Sequence, residues 1–533
     1  MSLNRLSMKY PIGIQTFSQI REDGFVYVDK TDLVYSLATE GKVYFLSRPR
    51  RFGKSLLVST LEAYFSGRKE LFKGLKIESL ETEWKTYPVF RLDFNGQNFT
   101  EVDSLKNALE EFVREAEKKY GKDDIAITLG SRFRAVLKRA YENTGERAVV
   151  LIDEYDKPLL DVMSSTVMIP QEGGDPVSLE DYNRNILKGF YSTFKGADDY
   201  LKFVFLTGVT KFSQVSVFSG FNHPTDISMS AKYDTLCGIT VDELDEYFSE
   251  SISQLAEEMG TSAEETKRQL IRQYDGYHFS KKLVGVLNPF SLLNAFELMD
   301  IQDYWFSSGT PTYLIHLLNH TKENLDELVG KYYPTSQFID YKADKEMPLP
   351  MIYQSGYLTI KDYKLRTNTF LLDFPNDEVK RGFATAVANN YLKAREDANS
   401  LITYSVDDLY DGNVEAFVTR LKAFLASIPY TMHQKKDKEQ FFHYTFYLLL
   451  KILSTYVIFT EKPQSQGRVD CIVETDKYIY IFEFKLDGTA EDAMKQIEDK
   501  GYATEYAADS RTLFKVGVNF SSETGTISDW AVR

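Results

Sequence analysis

The chain has 533 residues, too many for one compact core, so two to four domains are expected. Hydrophobic residues make up 43% and charged residues 26%, which excludes a largely disordered chain. The net charge of −15 excludes a uniformly basic, histone-like binder of nucleic acid but leaves a local basic groove open. Two cysteines, Cys237 and Cys471, provide neither a disulfide framework nor a cysteine-rich zinc site. They read as buried strand residues in a reducing, cytoplasmic compartment. The first 17 residues carry no apolar run of signal-peptide length. The most apolar window, 441–460, is interrupted by His443 and Lys451 and reads as a buried helix and a strand, not a membrane span.

In chain order, the first half alternates β-rich runs with helical patterns, the signature of a mostly parallel sheet with helices on both faces. The expected strands are KVYFLSR (42–48), YPVFRLDF (87–94), AVVLIDEY (148–155) and LKFVFLTGVT (201–210). Helices are expected at 55–67 and 104–121. VVLI and FVFL are continuous apolar runs, as central strands covered on both faces require. Helical patterns follow at 241–260 and 263–279, then a small hairpin from QSGYLTIKDY and TNTFLLDFPND, which makes the region winged-helix-like. The C-terminal hundred residues return to α/β, with strands YVIFTE, RVDCIVET, YIYIFEFK and LFKVGVNF. The expected division is 1–238 nucleotide-binding core, 239–300 helical lid, 301–375 winged-helix-like region, 376–430 helical connector and 431–533 C-terminal α/β domain.

RPRRFGKSL, from Arg48 to Leu56, lies directly between a strand and a helix, where free helix N–H groups favour phosphate. It meets the spacing G-x-x-x-x-G-K-[ST] with Gly53, Lys54 and Ser55, but Arg48 replaces the first glycine. Gly53 would admit the phosphates, Lys54 would reach their β/γ oxygens, and Ser55 would hold Mg²⁺. About 100 residues downstream, AVVLIDEYD sets Asp153 and Glu154 at the end of an apolar strand. Asp153 suits a Mg²⁺-organising acid and Glu154 a water-activating carboxylate; the plainer alternative is a solvated strand exit. Thr207, Thr210 and Lys211 end a third strand, placed to sense a γ-phosphate.

RPRRFGKSLL, YVDKT (27–31), LIDEYDKP and TGVTKFSQVSVFSGFN together resemble the AAA-ATPase-like proteins of bacteria, over residues 8–290 and including QYDGYHF and LNPFSLL. The resemblance implies the additional-strand P-loop architecture, with the Thr207 strand between the P-loop strand and the Asp153 strand. It implies ATP with Mg²⁺, held by Arg48, Arg50, Arg51, Phe52, Gly53, Lys54, Ser55 and Leu56. Arg50 and Arg51 either replace phosphate contacts or pair with acids across a domain interface. The oligomeric state stays open, although P-loop proteins of this type often complete their site with a neighbour's arginine, as a homo-oligomer would.

In the C-terminal region, Glu483 and Lys485 stand two apart on one strand and so share a face. They interrupt the apolar run IYIFEFK, where an unpartnered charge is costly. A hairpin can bring Asp470 beside Glu483; two carboxylates and a lysine can hold one or two Mg²⁺ and activate water for phosphodiester cleavage. Helix, strands and helix bearing Glu439, Asp470, Glu483-x-Lys485 and Gln496 resemble the PD-(D/E)xK nuclease superfamily over residues 425–525. The resemblance implies Asp470 and Glu483 as ligands of Mg²⁺ (or Mn²⁺), Lys485 as water-activating, Glu439 as auxiliary acid and Gln496 as a positioning group. His443 reads as a plain helix histidine. Arg468, Lys495 and Lys500 are local cations for nucleic acid, expected to be DNA in preference to RNA. The favoured reading is an ATPase with a Mg²⁺-dependent nuclease domain, suited to handling foreign or damaged DNA. The competing one is a nucleotide-dependent switch or scaffold whose nuclease-like fold only binds a partner.

Overall fold

The computed structural model describes residues 8–163, 165–171, 173–211, 224–308, 328–339, 348–383, 397–427, 458–460, 463–464, 467–468 and 471–533. The chain divides into two compact units, Met1–Val379 and Lys380–Arg533.

The first unit is organised on five parallel strands: β1 (Val43–Ser47), β2 (Val89–Asp93), β3 (Ala148–Asp153), β4 (Leu201–Gly208) and β5 (Thr225–Asp226). Their order is β2-β3-β4-β1-β5, so the strand bearing Thr207 does lie between β1 and the Asp153 strand. Every residue of β3 is buried, and β4 is buried except at Lys202. Such strands, covered on both faces, need no polar alternation. Around the sheet lie α1 (Lys54–Phe65), α2 (Ser104–Tyr120), α3 (Leu129–Thr144) and α4 (Leu179–Tyr191).

Three helices follow: α5 (Val241–Met259), α6 (Ala263–Tyr274) and α7 (Pro289–Leu298). A capping box between Thr240 and Glu243 starts α5, and the Asn288 side chain caps α7 ahead of Pro289. Leu244, Phe248, Ile252, Leu270, Leu292 and Phe296 join these helices in one apolar cluster. Beyond it stands an antiparallel sheet of β6 (Lys331–Pro334), β7 (Thr359–Lys364) and β8 (Thr369–Asp373) in the order β6-β8-β7, with a short helix α8 (Leu349–Gln354) before β7. The β7–β8 hairpin is the one expected from the sequence; β5 and β6 were not anticipated. Cys237 is buried in the irregular segment between β5 and α5, so it is not a strand residue.

The second unit contains α9 (Asp397–Tyr410), α10 (Val414–Ser427) and a five-stranded sheet: β9 (Ile458–Thr460), β10 (Cys471–Glu474), β11 (Tyr478–Leu486), β12 (Thr512–Ser521) and β13 (Thr526–Val532). Strand order follows chain order; β11 and β12 pair in parallel, the other neighbours antiparallel. The parallel pair requires a crossover, which α11 (Ala490–Asp499) supplies. The segment 376–430, expected to be a connector, contains two helices that belong to this body. Tyr480 donates its hydroxyl to the Leu409 carbonyl at 2.6 Å, Thr526 donates to the Lys422 carbonyl at 2.9 Å, and Phe417 packs edge-on against Phe482. Their buried stripe of Leu409, Phe417, Val418 and Leu421 explains why they dock.

Candidate functional site

In the first unit the chemistry gathers at the C-terminal edge of the parallel sheet. Gly53 takes φ +86° at the start of α1, and a Cβ there would meet nothing within 4 Å, so the backbone faces open space. Lys54 is buried; its Nζ donates to the Pro49 carbonyl at 3.2 Å and lies 3.4 Å from the Glu154 carboxylate. Ser55 hydrogen-bonds Asp153, whose carboxyl is fully buried. Asp153 accepts the Glu154 N–H at 3.1 Å with Oδ1, while Oδ2 has no hydrogen-bond partner. Burial, reinforced by the charge on Glu154, pushes its pKa up to about 6 against the opposing Ser55 hydrogen bond and Lys54 charge. Glu154 itself takes φ +51°, a left-handed conformation that costs a non-glycine residue about 1–3 kcal/mol and is kept where the surroundings impose it. A cavity of about 650 Å³ opens over this edge, lined by Arg50, Arg51, Gly53, Lys54, Ser55, Leu56 and Glu154. That volume suits a nucleotide. The half-buried Ser55 hydroxyl and the buried Asp153 carboxylate, which keeps an orphaned oxygen, suit a nucleotide's divalent cation.

Four residues expected at the nucleotide are placed elsewhere. Arg48 is buried, with its guanidinium donating to the carbonyls of Ser47, Ser228 and Tyr233 and lying 3.9 Å over the Phe279 ring. It does not line the cavity: both terminal nitrogens of the guanidinium donate to carbonyls instead of phosphate, while Nε is left without a hydrogen-bond partner. Phe52 is a core side chain, edge-on to Tyr277 at 4.7 Å. Thr210 gives both its N–H and its hydroxyl to buried Asp156, at 2.6 and 2.7 Å. Lys211 pairs with Asp226 at 2.7 Å. Thr207 remains at the edge, buried, with its hydroxyl oxygen unpartnered. Neither Arg50 nor Arg51 forms an ion pair with a described residue; Arg51 sits over Phe290, and the Arg50 carbonyl accepts the Trp305 indole N–H at 3.0 Å.

In the second unit Glu483 is buried on β11, and Lys485, two residues on, lies 3.5 Å from it. The Lys485 ammonium also donates to Gln496 of α11 at 2.5 Å. Three expected residues therefore meet. Asp470, Glu439 and His443 lie outside the described residues; Cys471 opposite Phe482 is the described pair next to Glu483. No group of three His, Cys, Asp or Glu able to hold a metal occurs among the described residues.

Family comparisons match residues 11–218 to a predicted AAA-ATPase family and residues 437–530 to the PD-(D/E)XK nuclease superfamily. An uncharacterized protein encoded in the vnfD 5′ region of Azotobacter chroococcum mcd 1 is 33% identical over 536 residues, covering 98% of this chain and 99% of that one. The chain belongs to this AAA-ATPase-like family with a C-terminal nuclease-superfamily domain. Among solved structures, the Aeropyrum pernix ORC1 protein in complex with DNA matches 68% of this chain and 90% of its own at 10% identity, with a TM-score of 0.23, too low to carry an argument. No described helix is long and apolar enough to cross a membrane.

In this AAA-ATPase-like protein, two further acids stand at the end of the sheet. Asp93 ends β2 in register with Asp153 and raises its pKa further. YPVFRLDF ends on an acid as AVVLID does, which was the available signal. Asp156 holds the exit of β4 through three hydrogen bonds, from Val209 N–H and from the Thr210 N–H and hydroxyl. No sequence spacing relates position 156 to position 210.

Proposed function

We propose that the protein binds and hydrolyses ATP at the edge of the parallel sheet and cuts nucleic acid phosphodiesters at the Glu483–Lys485 site. The observation that carries this reading is the meeting of Lys54, Ser55 and Glu154 at one cavity, with the buried Asp153 carboxyl beside Ser55. Lys54 turns from Glu154 to the β/γ oxygens of the nucleotide; Ser55 and Asp153 hold its Mg²⁺, and Glu154 orients the attacking water. The metal, when bound, neutralises charge developing on the phosphoryl oxygens. Arg50 and Arg51, exposed at the mouth, contact phosphate. Thr207 senses the terminal phosphate.

In the C-terminal domain Asp470 and Glu483 hold Mg²⁺ or Mn²⁺ and Lys485, oriented by Gln496, activates the water; Glu439 assists. Support comes from the buried position of Glu483 and the Lys485–Gln496 bond. The substrate is DNA in preference to RNA, with Arg468, Lys495 and Lys500 as the local cations in the sequence, and a second copy of the chain supplies the arginine that completes the ATP site. A role in DNA processing or defence against foreign DNA follows from that pairing of activities.

The test is cleavage of labelled linear and circular DNA and of RNA with Mg²⁺ or Mn²⁺, with and without ATP. Lys485→Ala should lower cleavage by about a hundredfold or more, and Lys54→Ala should abolish its response to ATP. ATP binding without cleavage of any substrate would instead favour a nucleotide-dependent scaffold.

A further inference from the structure

One wall of the cavity comes from a segment that neither reaction uses. Helix α8 ends at Gln354 and turns through Ser355, Gly356 and Tyr357 towards β7. Ser355 and Tyr357 line the same cavity as Lys54 and Glu154. Gly356 takes φ +89°, and a Cβ there would stand 2.7 Å from the Pro49 side chain at the head of the phosphate loop. Both the left-handed backbone and the contact require glycine. Pro49 is the residue whose carbonyl accepts the Lys54 ammonium.

Gln354 is buried and bridges two elements. Its Oε1 accepts the Lys211 N–H at 2.7 Å, just beyond β4, and its Nε2 donates to the Ile339 carbonyl at 2.6 Å. Trp305 adds a second tie: its ring meets Tyr357 edge-on at 5.4 Å while its indole N–H bonds the Arg50 carbonyl. A single turn thus touches the head of the loop, the exit of the Thr207 strand and the cavity, and continues into the antiparallel sheet β6–β8.

We propose that the Gln354–Tyr357 turn is a positioning element of the nucleotide site, which registers the phosphate end of the bound nucleotide and passes occupancy to the β6–β8 sheet. The inference rests on the nucleotide reading above and adds the element that senses it. Phosphate that draws Lys54 away from the Pro49 carbonyl changes the loop head directly beneath Gly356. Close-packed contacts transmit such a shift instead of absorbing it. The buried Gln354 bonds are costly to break, so the Lys211 exit and the turn move together.

The experiment is amide hydrogen exchange on the full-length chain with MgATP, MgADP or neither, alongside steady-state ATP hydrolysis. MgATP should slow exchange in β7 and β8 by about tenfold, and MgADP by less. Gln354→Met, similar in length but without the amide oxygen, should lose that protection and lower kcat more than it changes KM. Trp305→Phe, which keeps a ring but drops the bond to Arg50, should weaken the response and serves if Gln354→Met does not fold. Exchange in β7 and β8 that ignores MgATP, while Lys54-dependent nucleotide binding is intact, overturns the proposal alone. Absence of any nucleotide binding by the wild-type chain overturns the nucleotide reading, and this inference with it.

Discussion

Asp153 shows how the site trades stability for chemistry. Its carboxyl titrates near 6 in the folded chain, above the ordinary 3.8, because burial disfavours the charged form. A carboxyl raised on folding leaves stability intact below pH 4 and removes it as the pH climbs through 6. About two units correspond to roughly 3 kcal/mol withheld from the nucleotide-free protein at neutral pH. Asp153→Asn should therefore raise the melting temperature at pH 8, with the gain over wild type vanishing near pH 4, while Mg²⁺-dependent nucleotide binding is lost. Thermal unfolding across that pH range checks both signs. Arg48 illustrates the opposite case at the same scale. Its side chain is consumed by three carbonyls and a ring, so the residue that stands in place of a loop glycine is a structural post.

Elements bring the C-terminal residues together through one close approach. Gly517 on β12 faces Glu483 of β11 in register, and α11 passes so near that a Cβ at 517 would lie 2.5 Å from the Ala490 carbonyl oxygen. That closeness holds Gln496 against Lys485. Gly517→Ala should push α11 outward, cost about 1–3 kcal/mol and reduce cleavage more than the stability loss explains. Denaturant unfolding and cleavage rates on the same protein separate the two effects. The start of α11 is pinned as well: Asp529 of β13 accepts the Ala490 N–H, and Asn519 accepts the Gly488 N–H. Strand β13 was not legible in the sequence, because TISDWAV lacks the uninterrupted apolar run that marked its neighbours. Its exposed edge position tolerates Ser528 and Asp529, whereas β11 and β12 had to be apolar.

At the scale of the whole molecule, a net charge of −15 opposes any polyanion, so the proposed binding of nucleic acid rests on a few local cations. Cleavage should therefore fall by tenfold or more between about 50 and 200 mM salt, while ATP hydrolysis, which needs no polyanion, changes little. Parallel assays on one preparation test the contrast. The division at Val379 and Lys380 assigns α9 and α10 to the nuclease-superfamily body, so a fragment beginning at residue 431 lacks two of its packed helices.

The amino-acid sequence by itself determined the strands whose burial demands continuous apolar runs, the strand–loop–helix at Gly53, the acids at a strand end and the Glu-x-Lys pair, because each is a local pattern within a few residues. Strand order was inferable only through the family resemblance. The tertiary structure alone settled that Arg48, Phe52, Thr210 and Lys211 turn away from the cavity, that Asp93 and Asp156 gather at the end of the sheet, and that a turn at 354–357 lines the cavity. Those outcomes depend on partners from 15 to 307 residues away, such as Asp226 for Lys211, Thr210 for Asp156 and Pro49 for Gly356. Periodicity and motif spacing carry no record of such distances; hydrogen-bond satisfaction and close packing in the folded chain settle them.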